Sequence, residues 1–140
     1  MSREYALQSH PVWAEIAPEI VATEFHSPWS MDANTLRRLS RVRRASGVIF
    51  RFISDARVPD SGVGVSDSAH NERPCTAVDL RVLNGRERYL ILMAALKEGY
   101  ERIGVYPPNA DQIRMYGKSS GSIHLDDSDL LPRQVCWTGY

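Results

Sequence analysis

The chain has 140 residues, 43% hydrophobic and 24% charged, enough to bury a single core and too apolar for wholesale disorder. Seventeen basic residues balance seventeen acidic ones, so the net charge does not call for a polyanionic partner such as nucleic acid. No apolar run approaches the roughly 18 residues of a membrane span, and Cys75 and Cys136 are too few for a disulfide framework. The composition is that of a soluble, reduced protein with one domain over 1–140, of which 1–20 is expected to be a peripheral N-terminal segment.

In chain order, Pro11 to Phe25 reads as partly helical, with Pro18 interrupting it. A helix is predicted from about Ala33 to Ser46. Leu36, Leu39 and Val42 recur every third residue, Ser30 or Asp32 can cap the start, and Gly47 stops it. Val48 to Ser54 is β-branched and aromatic and reads as a mostly buried strand. The turn-rich stretch Val58 to Asn71 is expected to be a long surface loop. Thr76 to Val82 alternates, with Ala77, Asp79 and Arg81 on one face and Val78, Leu80 and Val82 on the other. Asn84-Gly85 turns the chain into a helix from about Arg86 to Glu98, with Tyr89, Leu92, Met93 and Leu96 as its apolar stripe. Ile103 to Tyr106 and Ser122 to Asp126 are further short strands. Strands and helices do not alternate as in a wound parallel sheet, so the expected class is α+β, a small antiparallel sheet with flanking helices.

Of the four histidines, two sit in distinctive settings. Ser68-Ala69-His70 closes the long loop, Asp79 follows nine positions later in a strand, and His124 lies in the last predicted strand beside Asp126. Two imidazoles and a carboxylate make a three-ligand zinc site with one position open for water, the arrangement a hydrolytic zinc requires. The same residues also read as a plain loop histidine and a satisfied core histidine, and Cys75 reads as a small buried hydrophobe. His10 and His26 have no motif around them and read as structural or surface residues. Arg57 reads equally as a partner for Asp55 or Asp60. On the first long helix, Arg37, Arg41 and Arg44 share one face, either solvated or a dock for an anionic surface.

The order of these pieces resembles the D-alanyl-D-alanine carboxypeptidase family of zinc peptidases, which includes phage endolysins that cut peptidoglycan stem peptides. The likeness is carried by Thr23-Glu24-Phe25 ahead of the first long helix, Ser54-Asp55-Ala56-Arg57, Ser68-Ala69-His70 and Ala77-Val78-Asp79. It continues through Ile103-Gly104-Val105-Tyr106-Pro107, His124-Leu125-Asp126 and Trp137, covering roughly residues 20–137. The resemblance implies a hedgehog-like peptidase fold with His70, Asp79 and His124 as zinc ligands. It implies Arg57 as the grip on a substrate carboxylate or polarised carbonyl, and Ser68 as a hydrogen-bond partner that steadies the site. Two departures stand out. Eight residues separate His70 from Asp79, a longer run than the family usually has, and Gly121 stands three positions before His124, where many members carry an acid. Residues 120–126 look like the family's His-x-Asp subgroup, which lacks that acid, so Asp126 becomes the expected general acid/base, with Asp67 and Glu72 as loop alternatives.

The expected activity is therefore zinc-dependent hydrolysis of peptidoglycan peptides by a monomer with no nucleic-acid partner and no membrane insertion. With no signal sequence evident, such a protein would be made in the cytoplasm and act at the cell wall after release or within a virion. A wall-binding or virion structural module that keeps the fold without catalysis is the alternative.

Overall fold

A computed structural model describes residues 2–57 and 68–139. Most of the expected loop at 58–71, including Asp60 and Asp67, lies outside those residues. Among the described residues there are four α-helices, α1 (Val12–Ile16), α2 (Ala33–Ser46), α3 (Gly85–Lys97) and α4 (Ala110–Tyr116). Five strands accompany them, β1 (Phe52–Ser54), β2 (Ala77–Val82), β3 (Arg102–Tyr106), β4 (Gly121–Asp126) and β5 (Val135–Thr138). The α+β class holds.

The strands form one sheet in the order β1-β2-β4-β3-β5. All neighbours are antiparallel except β3 and β5, which run parallel, so the sheet is mixed and not purely antiparallel as expected. The reason is topological. The chain leaving β4 turns back antiparallel to it, but both edges of β4 are already taken by β2 and β3. The returning strand joins the free edge of β3, which also opposes β4, and must therefore pair in parallel.

Local chemistry sets the helix ends. Asp32 caps α2, its Oδ2 accepting from Thr35 N at 2.8 Å, and Gly47 closes it in the left-handed conformation at φ 68°. Leu36, Leu39 and Val42 are fully buried, as the three-residue spacing predicts. For α3 the expected stripe is out of phase. Tyr89, Met93 and Leu96 are exposed, and the helix instead buries Ile91, Ala94 and Ala95. Apolar residues occupy every position from Tyr89 to Leu96, so periodicity alone does not fix the phase. The small alanine face lets α3 pack closely on α2 and β2, which decides it.

Two elements have no counterpart in the sequence reading, α4 and β5. The expected strand at 48–54 pairs only over Phe52–Ser54, where a register shift interrupts the ladder. The segment 1–20 is not peripheral: Ala6, Val12, Ile16 and Ile20 are core residues, because α1 lies against α2. Arg3 ties this segment down by ion pairs to Asp32, Asp127 and Asp129.

The alternation of the strands divides the sheet into two chemistries. Val78, Leu80 and Val82 of β2, Ile103 of β3, and Ile123 and Leu125 of β4 point into the core. The other face carries Asp79 and Arg81, Ser122, His124 and Asp126, and Arg102, Gly104 and Tyr106. The arginine face of α2 is closed by carboxylates: Arg37 pairs with Glu15, Arg41 with Glu98 and Arg44 with Glu19. No helix among the described residues is long and apolar enough to cross a membrane.

Candidate metal centre

Strand register builds the site. Asp79 of β2 stands opposite His124 of β4, His124 opposite Gly104 of β3, and Gly104 opposite Trp137 of β5. One row of four residues across the sheet thus carries a carboxylate, an imidazole, a gap and an indole. The gap is functional in shape. A Cβ on Gly104 would stand 2.6 Å from the Trp137 indole nitrogen, so only glycine lets the indole lie over β3 and reach His124, with ring centroids 5.2 Å apart.

His70 arrives from outside the sheet on a one-turn 3-10 helix, Ala69–Asn71, capped by Ser68, whose Oγ accepts from His70 N at 3.2 Å. The His70 ring is buried, and its Nδ1 donates to the Asp55 carbonyl at 2.7 Å. That bond leaves Nε2 with a lone pair directed at Asp79 Oδ2, 3.2 Å away, and at His124 Nδ1, 3.3 Å away. Asp55 is held in turn, its carboxylate accepting from the backbone of His26 and Ser27.

His124 is held from both sides. Its Nδ1 lies 2.9 Å from Asp79 Oδ1 and its Nε2 lies 2.7 Å from Asp126 Oδ2. With Nε2–H given to Asp126, the Nδ1 lone pair, the Nε2 lone pair of His70 and the Asp79 carboxylate converge on one point, which a metal ion or a proton could share. Burial opposes the imidazolium of His124, but the bonds to Asp126 and Asp79 outweigh it and raise the pKa above the ordinary value. Burial likewise opposes charge on Asp79, and the two imidazoles beside it, His124 above all, overcome that and hold the carboxyl well below its usual range. The ligand atoms of His70, Asp79 and His124 all lie within 4.8 Å of one another, and the group could bind a metal ion. Its donor set of two imidazoles and one carboxylate fits a first-row divalent ion with open positions.

The three residues line a cleft of about 620 Å³, and the other expected site residues are distributed around it. Arg57 lines the cleft and donates from Nη1 to Ser68 Oγ at 3.3 Å, with no carboxylate within 4 Å among the described residues. Its suggested partner Asp55 is committed to His26 and Ser27. Cys75 is not in the group: burial pushes its thiol up to about 12, and Sγ points at backbone carbonyls. His10 accepts from Val12 N and His26 lies at the surface beside Asp55, both structural as expected.

The expected acid/base residues have partners of their own. Asp126 is fully buried, contacts the His124 nitrogen remote from Asp79, and accepts from Arg102 Nε at 2.7 Å and Ser128 N at 3.1 Å. It lines the cleft and orients His124, and each of its oxygens already has a hydrogen-bond partner. Glu72 accepts from Thr76 and Ser128 and does not line the cleft. Asp67 lies outside the described residues. Among those described, the only carboxylates lining the cleft are Asp79 and Asp126.

Sequence reasoning missed Arg102 and Asp55. Arg102 grips Asp126, donates to the Pro132 carbonyl and lies 5.3 Å over the Trp137 ring, so it locks three parts of the wall. Its signal was available, since it alternates with Gly104 and Tyr106 on β3. The signal for Asp55 was not, because the group it uses on His70 is a backbone carbonyl. No family model, no curated protein and no solved structure matches the chain.

Proposed function

We propose that the protein is a zinc metallopeptidase that hydrolyses peptide bonds in the stems or cross-links of bacterial peptidoglycan. The observation that carries this reading is the convergence of His70 Nε2, the Asp79 carboxylate and His124 Nδ1 on the wall of an open cleft, with Arg57 beside them. The substrate class rests on the ordered resemblance of residues 20–137 to the D-alanyl-D-alanine carboxypeptidase family.

His70, Asp79 and His124 would hold the ion. Zinc there supplies Lewis-acid chemistry, activating water and polarising a carbonyl. Asp55 and Asp126 act behind the two histidines, fixing tautomer and ring orientation from the far nitrogen. Arg57 presents a permanent, planar charge to a substrate carboxylate or to negative charge developing on a carbonyl oxygen. Trp137 covers one side of His124 and keeps water from it.

The test is zinc content of wild type and His124→Ala together with release of free amines from purified peptidoglycan. About one zinc per chain, lost in the variant along with amine release, is expected. Protein without zinc in wild type sinks the proposal. One observation favours a second reading, a wall-binding module: the cleft carries no carboxylate free to move protons among the described residues. Zinc with wall sedimentation and no amine release would select it.

A further inference from the structure

Beyond Tyr106 a second depression of about 470 Å³ adjoins the cleft, walled by Arg88, Lys118, Pro107, Pro108 and Thr138, and Tyr106 lines both. The divider is rigid. Trp137 Nε1 donates to the Tyr106 hydroxyl at 2.6 Å, and the Tyr106 ring packs flush on the backbone of Gly139, where a Cβ would collide with it. A chain lying in the metal cleft can therefore pass one fixed aromatic edge and enter a second compartment.

The charge of that compartment is one-sided. Among the described residues no acidic side chain lines it. Neither Arg88 nor Lys118 has a carboxylate within 4 Å among the described residues, whereas the arginines of the α2 face, and Arg3, Arg51 and Arg102, each do. In a chain of zero net charge this is a local arrangement and no reflection of general basicity. Arg88 is also preorganised. Its Nη2 donates to Ser119 O at 2.9 Å and Ser120 O at 3.0 Å, which aims the guanidinium and leaves its other nitrogens without a partner among the described residues. One held guanidinium and one exposed ammonium, neither facing a carboxylate among the described residues, are complementary to an anion carried by the substrate.

We propose that this depression is a subsite for a carboxylate borne by the substrate peptide away from the scissile bond, so that the protein selects acidic peptides over their amidated forms. The proposal rests on the peptidase reading. It predicts that zinc-loaded wild type has a KM about 5- to 10-fold lower for a stem peptide whose glutamate α-carboxylate is free than for the same peptide amidated there. Lys118 is exposed, so Lys118→Glu should fold normally, and it should erase this preference, while Lys118→Arg restores it. Equal KM values for the two peptides in wild type, or a preference untouched by Lys118→Glu, overturns the subsite. Should wild type cleave neither peptide, the peptidase reading fails on its own. Titration calorimetry with the two peptides then decides the subsite: tighter binding of the acidic form that is lost in Lys118→Glu supports it, and equal binding removes it.

Discussion

His124 is gripped through both ring nitrogens, and the two grips differ in consequence. Asp79 faces the nitrogen at which a proton or metal would be shared, whereas Asp126 aims the ring from the other side. Asp126→Asn should accordingly weaken zinc binding by about 10- to 100-fold, measured by competition with a chromogenic chelator, without abolishing it. Proton linkage gives a second expectation. Asp79 is lowered from 3.8 and His124 raised from 6.5, so their pairing stabilises the metal-free fold fully between those two values. That contribution is lost below 3.8 as Asp79 protonates and lost above 6.5 as pH passes the raised value of His124. Zinc bound there would displace the same proton, so its stabilisation should grow with pH. Melting temperatures from pH 5 to 9, with chelator and with zinc, should diverge as pH rises. Curves that stay parallel would mean that metal and proton do not share His124. His70, Asp79 and His124 could be read as one possible ligand set from residue type and strand placement, whereas their assignment together with Arg57 rested on the ordered resemblance. The role of Asp126 was not. Its strand places it on the face of His124, but only coordinates show which ring nitrogen it reaches.

Helix boundaries follow local rules that are written in one or two residues, whereas helix faces follow from what lies opposite. The cap at Asp32 was readable, yet its carboxylate does more than cap α2, also accepting from Glu4 N and pairing with Arg3. Asp32→Ala removes a cap and leaves the part-buried Arg3 short of a partner, and should cost about 3 kcal/mol in urea denaturation. On α3 the phase can be tested directly. Ile91→Ala should cost about 2–5 kcal/mol, while Met93→Ser and Leu96→Ser stay within about 0.5 kcal/mol of wild type. The reverse ranking would restore the stripe that periodicity suggested. β5 escaped notice for a different reason. Its four residues alternate between half-buried and exposed at a sheet edge, too short a pattern to read from sequence, and their pairing is imposed by the free edge of β3.

At the scale of the whole molecule, the first twenty residues are structural. Ala6, Val12, Ile16 and Ile20 fill the core, and Arg3 reaches residues that follow directly on the Asp126 end of β4. Deleting residues 1–20 should abolish the cooperative thermal transition and not merely shift it, because it exposes one side of α2. A truncated chain that melts cooperatively would return this segment to the periphery. The sequence by itself determined the α+β class, the limits of α2 and the apolar face of β2. Each of these depends on residues near one another in the chain, through capping, period and side-chain chemistry, whereas the three candidate ligands, spread from His70 to His124, were assigned together only by the ordered resemblance. Only the tertiary structure decided that the sheet is mixed, that α3 buries its alanines, that Asp126 faces the far side of His124, and that Gly104 opens a place for Trp137. These depend on strand register and on which edge is already occupied, properties of pairs of segments distant in sequence, for which a single segment carries no signal.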